Sequence, residues 1–412
     1  MYVALAVLPA AAGSNLVLAT AGGSPDWLLG PLRFAGADWT DGPLGGPLFY
    51  AGLWLALVLW AVVVTRAERL SRDAVIGALV AAHLLFLLAP PLLSQDVFSY
   101  IAYARLGVEH DLNPYEHAPA DAPGDPVYPY AGSKDATSAY GPLFTLATYP
   151  LAGVGVSTAF WILKLVAAAA SLALVAVVWR IAERLGRDPR GAAAFVGLNP
   201  LTLAHVVAGA HNEAYVVLLT MVGVLAFVAG RPVAAGAWTG AAAGVKASAG
   251  LVIPFLVAAA RPRARALVGV GIAAVLVGLA ALAGFGADAL DALGLLSDNQ
   301  ERSSRWSFPY KTAELLGAVL PGDRLDYRDA VRAAYAAGFA ALAAWLLLRT
   351  WRGADPITMA GWATAALLVA SAWLVPWYAL WLLPFAALAT DRRLAIATGA
   401  LCAWMLVIAV PL

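Results

Sequence analysis

The stretch AVIGALVAAHLLFLLAPPLLSQDVFSY, residues 74–100, stays apolar through Leu93 and then places Asp96 almost at the apolar edge. A helix needs about 20 such residues to cross the hydrocarbon core of a bilayer. Similar runs recur near 2–21, 47–65, 157–180, 191–208, 214–230, 266–286, 330–348, 357–374 and 394–411, with a shorter one at 378–390. Segment 142–155 is interrupted by Pro142, Pro150, Gly and Thr and reads as interfacial. Of the 412 residues, 62% are hydrophobic and only 12% charged, with a mean hydropathy of +0.78. A soluble domain carries about a quarter charged residues. The chain is therefore expected to be an all-α polytopic membrane protein, a single integral-membrane domain over 1–412.

Other classes fall away on composition. The net charge of +1 has no basic concentration that would suit a nucleic acid, so no such partner is expected. One cysteine, Cys402, allows neither a disulfide framework nor a CxxC site. The opening run MYVALAVLPAAAGSNLVLATA lacks a basic n-region and reads as a first span, not a cleaved signal. GAAAGVKAS, around Lys246, fails the phosphate-loop pattern because Val245 separates Gly244 from the lysine.

Arginines set the expected orientation. TRAERLSR, WRIAERLGRDPR, RPRAR, RTWRG and DRR are short basic connections, which the positive-inside rule puts in the cytoplasm. Residues 22–46, 94–156, 209–213, 287–329 and 375–377 then lie outside. With Arg231, the inside connections hold 15 basic and 6 acidic residues; the outside ones, running on to Arg332, hold 9 and 19. Residues 232–260 resist this scheme, being too few for two spans yet basic at both ends. Two half-helices turning at Lys246 and Ala247–Ser248 fit, and so does one long tilted helix. Spacing of Gly236, Gly240 and Gly244 would let the first half pack closely on a neighbour.

Chemistry-bearing residues gather on the outer side. A carboxylate at the water interface that faces a cleft gains basicity from partial desolvation, and Asp96 is either that or an ordinary helix-end acid. HDLNPYEH supplies Asn113 and Tyr115, SAYGPLF supplies Tyr140, and AGAHNEAY puts His211, Asn212 and Glu213 in one tight turn. A lysine at bilayer depth costs roughly 2.5–3.5 kcal/mol, so Lys246 either faces a ligand or pairs with an acid. Lys164, near the end of its span, is expected to snorkel. SDNQERSSRWSFPYK offers Arg302, Arg305 and Lys311 as phosphate donors among Trp306, Phe308 and Tyr310. SAWLVPWYALWLLP adds Trp373, Trp377 and Tyr378 at an outer turn. The aromatic rings serve either sugar stacking or interfacial anchoring. No cofactor is required on this reading. A divalent metal is only weakly signalled, by Glu109, His110, Asp111, Glu116 and His117, which lack the i, i+4 pairing of a zinc motif.

In order and spacing, SQDVFSY, NPY, YGPL, NPLTLAHVVAGAHNEA, GVKASAGLVIP and PWYALWLLP resemble the GT-C superfamily of integral-membrane glycosyltransferases. Within it the chain is most similar to the bacterial polyprenyl-phosphate-mannose-dependent α-(1→6)-mannosyltransferases, over about Leu79 to Pro384. The resemblance implies a GT-C-like bundle of about 11–13 transmembrane or re-entrant helices with long external loops. It implies an inverting transfer of mannose to a cell-envelope glycan or glycolipid, in lipoglycan biosynthesis at the bacterial plasma membrane. Asp96 would be the general base, with Lys246, Arg302, Arg305 and His211 on the donor phosphate. Gln95, Tyr100, Asn113, Tyr115, Tyr140, Asn212, Glu213, Trp306, Trp377 and Tyr378 are substrate-binding candidates. The WWD motif of the oligosaccharyltransferase branch is missing from the chain. Topology supports a lipid carrier independently, because nucleotide sugars are cytoplasmic while the site is expected to face outward. An arabinosyl- or glucosyltransferase of the same superfamily, or a lipid or glycan flippase, are the alternatives.

Overall fold

The computed structural model describes residues 1–5, 26–31, 45–286 and 303–409. The expected first span at 2–21, the loop at 22–46 and the candidate Arg302 fall wholly or largely outside these residues. Among the described residues the secondary structure is helical throughout, without strands. In chain order the main helices are α1 (Gly45–Arg66), α2 (Arg72–Leu88), α3 (Asp96–Glu109), α4 (Pro142–Thr148), α5 (Val156–Arg184) and α6 (Pro189–Gly197). Then follow α7 (Glu213–Val228), α8 (Pro232–Val245), α9 (Ile253–Ala259), α10 (Arg263–Phe285) and α11 (Phe308–Val319). The chain ends with α12 (Arg324–Trp351), α13 (Pro356–Ala370), α14 (Ala379–Leu388) and α15 (Arg392–Ala409).

Among the described residues four helices are long and apolar enough to cross a membrane: Pro47–Arg69, α5, α10 and α12. A fifth candidate is a bent pair, α6 with the π-helical turn Thr202–Ala208, which meet at 64°. This chain is a polytopic membrane protein. The count of 11–13 reckons shorter pieces too, because several apolar runs fold as helices of 10–17 residues. Breaks follow the chemistry. Residues 191–208, read above as one span, are interrupted at Asn199–Pro200, where proline has no N–H to donate and Asn199 Oδ1 accepts from Leu201 N. Elsewhere acids cap helix starts: Asp188, Asp323 and Asp355 each accept two backbone N–H groups at the N-termini of α6, α12 and α13.

Residues 232–260 form α8, a 3-10 turn at Ala247–Val252, and α9, with Lys246 extended between them. Glycines serve as a ruler for their course. Gly236 lies against Ala266 and Val270 of α10, Gly240 against Val270 and Ala273, and Gly244 against Val277. Helices α8 and α10 thus run in the same direction, so the chain must double back between them through α9. The three glycines let the two backbones approach closely.

Helix α5 is the central pillar, half buried over its apolar window, with α6 and α7 against it. Lys164 does not snorkel as expected. It is fully buried, donates to the carbonyl of Ala89 at the end of α2, and lies 5.2 Å from the Trp161 ring. That carbonyl lacks an intrahelical donor, and the lysine supplies one. A second, aromatic core sits beneath Asp96, where Phe98 stacks on Phe160 at 5.5 Å and Trp27 meets Phe98 edge-on at 6.4 Å. The loop that follows α3 is fastened by Asp125, which accepts both Oδ bonds from Arg105 Nε at 2.9 Å and lies 2.7 Å from His110 Nε2.

Candidate active site

Three chain breaks build the site. The first is Ala89–Gln95, which ends α2 and delivers Asp96 as the opening residue of α3. A carboxylate there sits favourably at the positive end of the helix. Its backbone N–H donates to Ser94 Oγ at 3.1 Å. The second is the turn Gly209–Asn212 between the π-helical segment and α7. The third is Lys246, where α8 stops. Leu93 (φ 63°) and Ala210 (φ 54°) both hold left-handed backbone, one in each of the first two turns. Residues with a Cβ avoid that region, and such strain concentrates at functional sites. Loop and hairpin are joined directly: Gly141 N–H donates to Val245 O at 2.9 Å. A Cβ at Gly141 would collide with the Gly244 carbonyl, so only glycine fits this approach.

These breaks open onto one cavity of about 820 Å³. One wall carries Asp96, Ser99, Tyr103 and Tyr140; another carries Lys246, Ala247 and Ser248. Facing them, α12 contributes Arg332, Ala333, Ala336 and Phe339, while α13 contributes Leu367 and Leu368. The turn before α14 closes it with Trp373, Trp377 and Tyr378, joined by Trp381. The lining thus combines polar and cationic groups, aromatic rings, and apolar side chains from α12 and α13.

Behind the polar wall runs a chain of charged groups. Lys246 Nζ donates to Glu213 Oε1 at 2.5 Å, and Glu213 is fully buried. His211 is also fully buried, and its Nδ1 lies 3.7 Å from Glu213 Oε2 and 3.5 Å from Asp96 Oδ2. Trp377 stacks on the imidazole at 4.0 Å. Asp96 itself remains 31% exposed. Rings of Tyr378 and Trp381 lie 4.8 and 5.4 Å from the Lys246 ammonium.

The predicted residues divide cleanly. Asp96, Lys246, Tyr140, Trp377 and Tyr378 line the cavity. Tyr100, His211, Asn212 and Glu213 stand directly behind it; the Tyr100 hydroxyl accepts the Asn212 N–H at 3.2 Å. Gln95 packs on Gly132 beside α3, away from the lining. Asn113 and Tyr115 are loop-builders: Asn113 Oδ1 accepts from Tyr115 N, and the Tyr115 hydroxyl donates to Tyr140 O at 2.9 Å. Trp306 turns toward Trp404 and Lys311, and Arg305 is exposed, so neither lines the cavity. His110 and His117 pair with Asp125 and Asp121, and among the described residues no three His, Cys, Asp or Glu side chains gather as metal ligands would. Arg332 and Trp381 went unpredicted. Arg332 follows Arg324 and Arg328 at helical spacing, a basic stripe that the end of an apolar run had disguised.

A family model described as "Alpha-(1->6)-mannopyranosyltransferase, N-terminal domain" matches residues 6–265, more than half of the chain. The chain belongs to the alpha-(1->6)-mannopyranosyltransferase family. A model described as "MptB C-terminal domain" matches residues 316–412. The protein is 29% identical over 400 residues to Alpha-(1->6)-mannopyranosyltransferase A of Mycobacterium tuberculosis, covering 89% of this chain and 76% of that one. With the protein of the same name from Corynebacterium glutamicum it shares 28% identity over 228 residues, 52% of this chain and 45% of that one. A probable alpha-(1->6)-mannopyranosyltransferase of Mycolicibacterium smegmatis is 31% identical over 188 residues, 43% of this chain and 32% of the relative. No solved structure matches the chain. As a member of this family it is a membrane mannosyltransferase, which decides between the enzyme and flippase readings.

Proposed function

We propose that the protein transfers mannose from a polyprenyl-phosphate donor to a glycan or glycolipid acceptor at the extracytoplasmic face, with inversion at the anomeric carbon. One observation carries the reading: Asp96 and Lys246 line the same cavity, to which α12 and α13 add apolar side chains. In the proposed step the acceptor hydroxyl gives its proton to Asp96 as its oxygen bonds to the anomeric carbon. The bond from that carbon to the phosphate oxygen breaks, and the phosphate leaves with the electron pair. Lys246 and Arg332, both in the cavity lining, stabilise the developing anion in this step. A β-linked donor yields an α-linked product.

The remaining walls suit the same substrates. Phe339, Leu367 and Leu368 offer an apolar surface to a prenyl chain, and Trp377 and Tyr378 offer rings to a sugar. The experiment uses the purified enzyme in nanodiscs with an α-(1→6)-mannoside acceptor and radiolabelled mannose presented on polyprenyl phosphate or on GDP. We expect transfer from the lipid donor alone, giving an α-mannoside. Transfer from the nucleotide sugar without lipid, or transfer of arabinose or glucose in preference to mannose, would overturn the reading.

A further inference from the structure

The chain Asp96–His211–Glu213–Lys246 begins and ends on the cavity but passes through buried protein, and no role in the displacement uses its middle members. His211 Nδ1 faces two carboxylates at almost equal distances, 3.5 Å to Asp96 and 3.7 Å to Glu213. Neither is a full hydrogen bond, and both ring nitrogens and Glu213 Oε2 are buried without a hydrogen-bond partner. The imidazole is held fast nonetheless. Trp377 covers its face at 4.0 Å, and a Cβ at Gly209 would come within 3.0 Å of its Cδ2. A neutral imidazole in this place carries its hydrogen on Nδ1, because two carboxylates compete for it.

Resting on the assignment of Asp96 as base and Lys246 as phosphate ligand, we propose that His211 is a positioning residue that switches its single Nδ1–H between Asp96 and Glu213 according to whether the donor phosphate occupies Lys246. Without donor, the ammonium neutralises Glu213, and the imidazole N–H is available to Asp96. An anion at Lys246 draws the ammonium partly off Glu213, whose carboxylate then claims the imidazole N–H. Asp96 loses a donor that stabilised its charged form, and its proton affinity rises. No proton leaves the chain; one hydrogen bond changes partner. The base is thereby strengthened only when a donor is in place. The other titratable groups near this chain are Tyr100 on α3 and Tyr140, each interacting with both Asp96 and Glu213, His205 on the π-helical turn beside His211, and Tyr378 beside Lys246, which also interacts directly with Asp96.

The test is a set of pH–rate profiles in nanodiscs, with radiolabelled farnesyl-phosphate mannose and an α-(1→6)-mannobioside acceptor at saturation. In wild type, the acid limb of kcat, with donor bound, is expected to lie higher than the limb of kcat/KM for donor, which reports free enzyme. The expected displacement is about half a pH unit, roughly threefold in proton affinity. His211→Gln and Glu213→Gln should each abolish the displacement while binding detergent-solubilised donor. A direct field of the phosphate on Asp96 survives both substitutions, so a displacement that persists in them overturns the switch. Coincident limbs in wild type overturn it too, without any variant having to fold. Asp96→Asn is measured in parallel: its inactivity with coincident wild-type limbs leaves the base and removes only the switch. Activity in Asp96→Asn within a few-fold of wild type removes both.

Discussion

Two lysines sit inside apolar helical segments of this protein, and they have opposite surroundings. Lys164 donates to a main-chain carbonyl, lies near the rings of Phe160 and Trp161, forms no ion pair with an acid among the described residues, and is outside the lining of the active-site cavity. Lys246 also lies among aromatic rings, but it is bonded to a buried carboxylate and remains 15% exposed on a cavity wall. The first cation satisfies a helix end. The second is balanced by a charge that an incoming anion can displace. What separates the two lysines is therefore not burial alone but an exchangeable partner next to open space.

Substitution should separate the two lysines, and the largest effect belongs to Lys246. Replacing it by Met leaves Glu213 buried and unpaired, a loss of about 3–5 kcal/mol in stability. Transfer should fall at least about a hundredfold, a loss of roughly 3 kcal/mol in transition-state stabilisation. Adding Glu213→Gln should recover much of the stability in a thermal melt and none of the turnover; recovered turnover would make Lys246 purely structural. Gly141→Ala comes next. It forces the loop carrying Tyr140 off the hairpin tip that carries Lys246, costing about 1–3 kcal/mol by overpacking. Donor KM should rise as well, and an unchanged donor KM with unchanged thermal stability would refute the claim that this contact sets the cavity wall.

Lys164→Met should do less. Removing a buried charge repays the loss of one carbonyl bond, so stability should change by no more than about 1.5 kcal/mol. Turnover per folded molecule should match wild type, and a large kcat defect would erase the contrast between the lysines. The smallest effect concerns Asp125, far from either lysine. Burial pushes its pKa up, but hydrogen bonds from Arg105, from Val127 N–H and from His110 outweigh it and hold the carboxyl below its ordinary value. A depressed folded value means that its stabilisation is present above the unfolded value, about 3.9, and is lost as pH falls through the folded one. Melting temperature should therefore be insensitive to this group near neutrality and drop below about pH 4, and Asp125→Asn should flatten that acid loss. An unchanged slope would mean the loop is not fastened there.

The features legible in the sequence were those that interrupt a local pattern. Asp96 announced itself by ending an apolar run, Lys246 by sitting within one, and His211 and Glu213 by crowding a turn. Each of these breaks delivers a polar group to the site because a helix end is where backbone and side chain leave the apolar bundle together. Directions across the tertiary structure were not legible. Arg305 and Trp306 share a segment rich in suitable chemistry, yet they face solvent and Trp404, away from the cavity. Arg332 reaches the cavity from a helix whose start looks like an ordinary basic flank. The break at Asn199–Pro200 was visible as a turn dipeptide, but hydropathy averaged across it. The resemblance put His211 on the donor phosphate, and only three-dimensional packing places Trp377 over it and two carboxylates before it.

Asp96 is the proposed base, in the cavity it shares with Lys246. Its most direct test is the transfer rate of Asp96→Asn in nanodiscs with polyprenyl-phosphate mannose, together with donor affinity. Asparagine keeps the shape and removes the basicity, so kcat should fall at least about a hundredfold, with donor affinity within a few-fold of wild type and the melting temperature preserved. A variant that transfers mannose within a few-fold of the wild-type rate would contradict the account, and Glu213 would become the carboxylate to examine.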